Sequence, residues 1–223
     1  MSASIARLAF HDTNGGMKRI FALGALLPLA LSVACGSDGT ANPEDDDKTV
    51  DDADIRSALY IGNSLPDKTL SVTVDDGPND EGGAAGSGAN TRAIAEYLAS
   101  EGVPATFFFL GRMLTRTGSL EAWKNKGKPG ITPQMDTLLK DIKAMSVKGS
   151  TLHHLIASHT FTHGDPMASL GAETQKSEVI ETNKLLEPYY ENDIRFVRTP
   201  YGSWNSKVYN NLSSIDGSSR FVG

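Results

Sequence analysis

Thr73-Val74-Asp75-Asp76-Gly77-Pro78 decides how the rest of the chain is read. It sets two adjacent carboxylates at the end of a run with strand character, Thr69-Leu70-Ser71-Val72-Thr73-Val74, and a Gly-Pro then stops that strand. Aspartate is depleted in strands, so a pair at a strand tip calls for a reason. Taken alone, Asp-Gly and Gly-Pro are also ordinary turn signals. Adjacent side chains of an extended chain point opposite ways. The two carboxylates should therefore play different parts. One can bind a cation while the other faces a neighbouring polar group.

Working outward, Glu81 to Gly88 is a Gly- and Ala-rich loop, too poor in apolar residues to pack and without the pattern of a phosphate loop. Asn90 or Thr91 can cap a helix whose Ile94, Tyr97 and Leu98 share a face, and Gly102 ends it. Ala105-Thr106-Phe107-Phe108-Phe109-Leu110 is a continuous apolar strand of the kind buried on both faces. Strand, helix and buried strand together are the pattern of a parallel α/β sheet. Residues 111–130 are rich in Gly, Lys and Arg and read as a long excursion, in which Trp123 is either core or a sugar-stacking platform. Thr132-Pro133 opens the next helix with Pro at its first position. Met135, Leu138, Leu139, Ile142 and Met145 form its buried stripe, and Gly149 closes it. Thr151 to Ala157 reads as a third strand. A helix from Ala172 to Glu187 follows, with Val179, Leu186 and Tyr190 on one side. Ile194-Arg195-Phe196-Val197 is a fourth strand, and a short helical piece from Ser206 to Leu212 is the last element expected.

Upstream, Met17-Lys18-Arg19, the apolar run Ile20 to Leu31 and Ser32-Val33-Ala34-Cys35 have the order of an export signal. The apolar run is too short for a membrane span of about 20 residues, and Pro28 interrupts it. Residues 1–16 then read as an extension upstream of the true start or as a cytoplasmic tip. Cys35, the only cysteine, has no disulfide partner. Its place after small residues resembles a bacterial lipoprotein lipobox, with Leu31 one position further upstream than usual. The resemblance implies a lipid anchor at Cys35 and a cell-envelope location; the alternative is an ordinary secretory signal and a periplasmic or secreted protein. Residues 36–54 are a Gly, Ser, Asn, Pro and acid tether expected to stay disordered. The net charge of -6 sits almost wholly there, since seven acids face Lys48 alone between Glu44 and Asp54. From Ile55 onward the chain carries about -1. A nearly neutral domain makes no case for nucleic acid, which needs a basic face.

Three polar motifs each follow a strand directly: Asp75/Asp76, His159/His163 and Arg198/Tyr201. In a parallel sheet or barrel all strand C-termini open on one face, so these motifs should converge. His159 and His163 are four apart, a spacing that lets two imidazoles meet one metal on a helical turn or a tight loop. The β-branched Thr160 and Thr162 favour the loop. Two histidines and one aspartate leave positions open for water, the pattern of a catalytic rather than a structural zinc site; Co²⁺ and Mn²⁺ fit the same donors. Arg198 is either a surface ion pair or the group that holds a carboxylate ionised. Pro200 fixes the backbone before Tyr201, whose N–H can serve as an oxyanion donor.

Thr-x-Asp-Asp-Gly-Pro, His-Thr-x-x-His and Arg-x-Pro-Tyr-Gly, in that order and with Ala-Thr-Phe-Phe between the first two, resemble the polysaccharide deacetylases, the NodB-homology or carbohydrate esterase family 4 domains. The resemblance covers Lys68 to Ser206. It implies a distorted (β/α) barrel, here incomplete, of parallel strands with outer helices over residues 55–223. It also implies a divalent-metal hydrolase that removes N-acetyl groups from chitin-like, peptidoglycan or exopolysaccharide chains, with zinc the first candidate ion. By position, Asp75 resembles the general base, and Asp76, His159 and His163 the metal ligands. Arg198 resembles the residue that orients the base, and Tyr201 the backbone oxyanion donor.

Val74 stands where the family usually has Phe. The family also carries an Asp/Trp motif and a Leu-x-His motif after Arg-x-Pro-Tyr, whereas residues 203–223 contain no histidine. The expectation is a truncated domain with weak activity or none, since the acid that protonates the leaving amine is not among these residues. His153 and His154 lie inside a strand and are not assigned that role. Two other classes stay open: a non-catalytic carbohydrate-binding lipoprotein on the same fold, and an amidohydrolase of another small amide.

Overall fold

A computed structural model describes residues 59–60, 70–79, 87–191, 195–213, 215 and 219–222. All of them belong to the unit Thr49–Gly223. The signal-like segment with Cys35, the acidic tether 36–54 and most of the Gly-rich loop after Asp80 lie outside the described residues. Among those described, no helix is long and apolar enough to cross a membrane.

From the second strand onward, one or more helices separate each strand from the next. The elements are β1 (Leu59–Tyr60), β2 (Val72–Gly77), α1 (Ala89–Ser100), β3 (Ala105–Phe109), α2 (Gly111–Thr115), α3 (Leu120–Asn125) and α4 (Pro133–Ala144). Then come β4 (Leu155–Ser158), α5 (Ala172–Leu186), β5 (Arg195–Val197), α6 (Ser206–Leu212) and β6 (Ser219–Val222). Parallel strands need a crossover between them, and every strand pairing here is parallel. The sheet order is β1-β6-β5-β4-β3-β2. From β2 to β6 the neighbours follow chain order, and β1 then lies beside β6, which is the order of a (β/α) barrel. Among the described residues no pairing joins β1 to β2, so the barrel is open there. This agrees with the barrel-type arrangement of parallel strands and outer helices that the resemblance implied.

β3 is the apolar centre. Phe107 and Phe109 point outward with Val72, Val74 and Ile156 into a cluster closed by α1 and α4. Phe108 points to the opposite face, as alternation requires, where it meets Arg198 and His159. α4 supplies Met135, Leu138, Leu139 and Ile142, all fully buried, with Met145 half-buried beside them. Each such side chain contributes about 1.5–3 kcal/mol by leaving water. A second cluster joins α5, β5, α6 and β6 through Val179, Val197, Val208, Leu212 and Phe221.

Several local expectations shift. The first strand starts later than Thr69 and runs through both aspartates to Gly77, leaving Leu70 81% exposed. Gly88, not Asn90 or Thr91, caps α1. Its φ of +67° suits glycine, and a Cβ there would collide with Leu138 Cδ2. Thr91 is instead buried inside the first turn, where its hydroxyl accepts from the Asn79 N–H at 2.9 Å. Tyr97 leaves the buried face to Ala95 and Ala99 and stands 49% exposed. The excursion 111–130 holds α2 and α3, and Trp123 is core: it is 3% exposed, packs on Phe161 and donates its ring N–H to the Pro129 carbonyl. The third strand is the shorter Leu155–Ser158; His153 instead forms an isolated antiparallel bridge with Ser146. β6, which has no counterpart among the strands expected from the sequence, pairs with both β5 and β1.

Candidate metal centre

The C-terminal ends of β2, β4 and β5 meet at one rim. On β2 the register passes from Val74 opposite Phe107 to Gly77 opposite Phe109, so three steps of one strand face two of the other. That is a bulge, a device that re-aims side chains. Asp76 sits within it at φ +65°, a left-handed conformation that Asp tolerates better than most residues. The simple alternation expected of Asp75 and Asp76 is broken there. The division of labour survives: Asp75 turns to Arg198, and Asp76 turns to the two histidines.

His159 follows β4 directly, with its N–H donating to the Phe109 carbonyl as a continuation of the ladder. His163 lies four residues on in a tight loop, not a helix. Two left-handed residues, Thr160 at φ +68° and His163 at φ +53°, make the turn. Such conformations are sparsely populated by side chains with a Cβ and cluster at functional sites. The His159 ring is 3% exposed and lies 5.1 Å from that of His163. Its Nδ1 lies 2.9 Å from the Arg198 carbonyl. An acceptor there requires Nδ1 to carry the hydrogen, which leaves the Nε2 lone pair for another partner. Asp76 Oδ1 is 3.4 Å from that Nε2 and 3.2 Å from His163 Nε2.

Ligands that share an ion at about 2.0–2.1 Å with tetrahedral angles stand about 3.3 Å apart, so these separations fit one ion between them. The three ligand atoms all lie within 4.8 Å of one another, a possible metal-binding group. The competing account is a plain ion pair, which needs a protonated imidazole. Burial works against it, pushing the His159 pKa below the usual histidine value despite the pull of Asp75 and Asp76. A neutral imidazole and a carboxylate are the forms that bind a divalent cation.

Beside this group, Arg198 Nη1 reaches both oxygens of Asp75, at 3.0 and 3.1 Å, and the Thr73 hydroxyl at 2.8 Å. Its guanidinium also lies 4.5 Å over the Phe108 ring. Arg198 is therefore no loose surface pair. Tyr201, at φ +60° in the one-turn 3₁₀ helix Pro200–Gly202, is 63% exposed and sets its ring 4.6 Å from that of His163. All six residues singled out from the motifs thus gather at this rim. His153 and His154 do not: His154 is buried at the opposite end of β4, with Nδ1 accepting from the Ala105 N–H and Nε2 donating to the Ala95 carbonyl.

One contributor has no motif to announce it. Glu178 of α5 is 3% exposed and binds the loop between the histidines. The buried positions of α5 are Gln175, Glu178, Val179, Thr182, Asn183 and Leu186. Their spacing is that of a helix face, but four of the six are polar, so an apolar periodicity search passes over them.

The chain matches the family model described as polysaccharide deacetylase over residues 62–216. A chitooligosaccharide deacetylase of Sinorhizobium fredii is 29% identical over 155 residues, 69% of this chain and 55% of that protein. Another, of Rhizobium leguminosarum bv. trifolii, is 29% identical over 143 residues, 64% of this chain and 50% of that protein. Among solved structures, the chitin deacetylase of Colletotrichum lindemuthianum aligns with a TM-score of 0.46 at 18% identity, covering 69% of this chain and 54% of that one. The chain spans about half the length of the curated relatives it matches. With a family model that covers most of its residues, this chain belongs to the polysaccharide deacetylase family.

Proposed function

We propose that the rim is the metal-binding and base half of a glycan deacetylase, hydrolysing the amide of N-acetylated sugars in chitin-like, peptidoglycan or exopolysaccharide chains. The observation that carries this reading is Asp76 Oδ1 within 3.4 Å of two imidazole nitrogens, with a second carboxylate clamped by arginine alongside. Asp76, His159 and His163 are the ligands, with Zn²⁺ the first candidate and Co²⁺ or Mn²⁺ acceptable to the same donors. When bound, the ion supplies Lewis acidity at the acetyl carbonyl. Asp75 accepts the proton of the attacking water. Arg198 fixes the orientation of Asp75 by donating to both of its oxygens. The Tyr201 N–H donates to the oxygen that gains charge as the carbonyl is attacked. The sugar substrate rests on the relatives named chitooligosaccharide deacetylase.

The test is acetate release from chitin oligosaccharides by the full chain, with and without Zn²⁺ or Co²⁺. Expected is chelator-sensitive release that Asp75→Asn lowers by about 10²–10⁴-fold while metal uptake persists. Release that survives both chelation and Asp75→Asn would rule the mechanism out. A second reading, glycan binding without turnover, is favoured by one observation: among the described residues, the His154 ring is committed to backbone away from the rim, and His153 Nδ1 lies 3.4 Å from the Met145 carbonyl. Metal and glycan retention with no acetate would select it. Export with lipid attachment at Cys35 belongs to the same proposal, supported by Lys18-Arg19 and the apolar run ahead of that cysteine. Cys35→Ser should abolish palmitate labelling in a bacterial host; labelling that persists would remove the anchor.

A further inference from the structure

The turn between the two imidazoles is held by one buried carboxylate. Glu178 Oε2 accepts the backbone N–H groups of Phe161 and Thr162, each at 2.8 Å, and Oε1 accepts the Thr162 hydroxyl at 2.7 Å. Adjacent N–H groups converging on one oxygen form a small anion-binding concavity. The three donors fall midway between His159 and His163. From the other side, the Gly111 and Arg112 N–H groups donate to the Thr160 and Phe161 carbonyls at 3.1 and 2.8 Å. Gly111 also lets Phe161 approach closely, for a Cβ there would stand 2.5 Å from Phe161 Cδ2.

We propose that Glu178 is a positioning residue for the metal centre, setting the separation and aim of His159 and His163 by gathering the Phe161 and Thr162 donors onto one side of α5. The proposal rests on the metal reading above. The turn needs such an anchor because it passes through left-handed conformations at Thr160 and His163, neither of them a glycine. Without the carboxylate, two N–H groups would be left without their acceptor, and the turn would relax toward backbone angles that swing His163 away from Asp76. A bland alternative is that Glu178 only adds stability, as any satisfied buried carboxylate can. The two accounts part on metal affinity in protein that is still folded.

The experiment titrates the full chain with Co²⁺, read by its visible absorption, alongside thermal unfolding of the metal-free protein. Glu178→Gln keeps the size of the side chain and one acceptor oxygen but removes the charge and the second acceptor. It should bind Co²⁺ about 10- to 100-fold more weakly, with an altered absorption band, in protein that still melts cooperatively. Thr162→Val removes the hydroxyl's bond to Glu178, along with the long 3.4 Å bond it accepts from the Gly164 N–H, and should weaken Co²⁺ by about tenfold. This second variant decides the matter if Glu178→Gln does not fold. Wild-type affinity and spectrum in the folded variants, with only the melting temperature lowered, would overturn the positioning role and leave the metal reading intact. Wild-type protein that takes up no Co²⁺ would overturn both.

Discussion

His154 and His159 stand at opposite ends of β4 and share almost everything that a sequence can express. Each is buried, 2% and 3% exposed. Each lies edge-on to a phenylalanine of β3, Phe107 for one and Phe108 for the other. Burial pushes the pKa of each below the usual histidine value. The difference is in what their nitrogens have left to offer. His154 commits both to backbone, the Ala105 N–H and the Ala95 carbonyl, and so ties β3 to α1. His159 commits only Nδ1, to the Arg198 carbonyl, and its Nε2 faces Asp76. Capacity to bind a metal is what remains after the local hydrogen bonds are counted.

A paired substitution tests that contrast most severely. His159→Ala should abolish Co²⁺ or Zn²⁺ uptake at the rim. His154→Ala should leave metal affinity near that of the parent and instead lower folding stability by about 2–4 kcal/mol, because a buried N–H and a buried carbonyl lose their partner. Isothermal titration and chemical denaturation read the two effects, and metal uptake that survives His159→Ala would break the contrast. A smaller effect sharpens it. The unfolded chain protonates His154 near 6.5, while the folded form resists protonation through burial. The unfolded state therefore binds more protons below that pH. Stability should be level above 6.5 and fall as the pH drops from there toward the depressed folded value. In metal-free protein His159 adds to the same slope, so the readout is the difference between parent and His154→Gln. The variant should show the shallower loss between pH 6.5 and 5; equal slopes would remove His154 from the account.

Much of the rim was legible because its residues combine a polar identity with a place just after an apolar run. Asp75 and Asp76 lie at the end of a strand, and His159, His163, Arg198 and Tyr201 follow strands, all of plain composition; parallel strands deliver their ends to one side. α4 was legible from its apolar spacing and from Pro133 in its first turn; α6 was expected over the residues it occupies, but its cap, the Asn205 side chain accepting from the Val208 N–H, was not read. β6 was not, since a four-residue strand with Ser219 and Arg220 in it carries too little periodicity to stand out. The bulge at Asp76 was not, because register is a relation between two strands and has no signature in either alone. Glu178 was not, because a carboxylate on a helix reads as solvent-facing until a loop from elsewhere presents its N–H groups.

The order of residues by itself determined the parallel α/β layout, the buried β3 and the identity of the polar groups that the strand ends present. These follow from local chemistry: period, composition and the turn residues between elements. Folding in three dimensions decided which imidazole is free to bind, how two neighbouring aspartates come to serve different partners, and which buried carboxylate holds the histidine turn. Each of those depends on hydrogen bonds between segments far apart in the chain. Such bonds are set by where backbone donors and acceptors fall once the sheet has assembled.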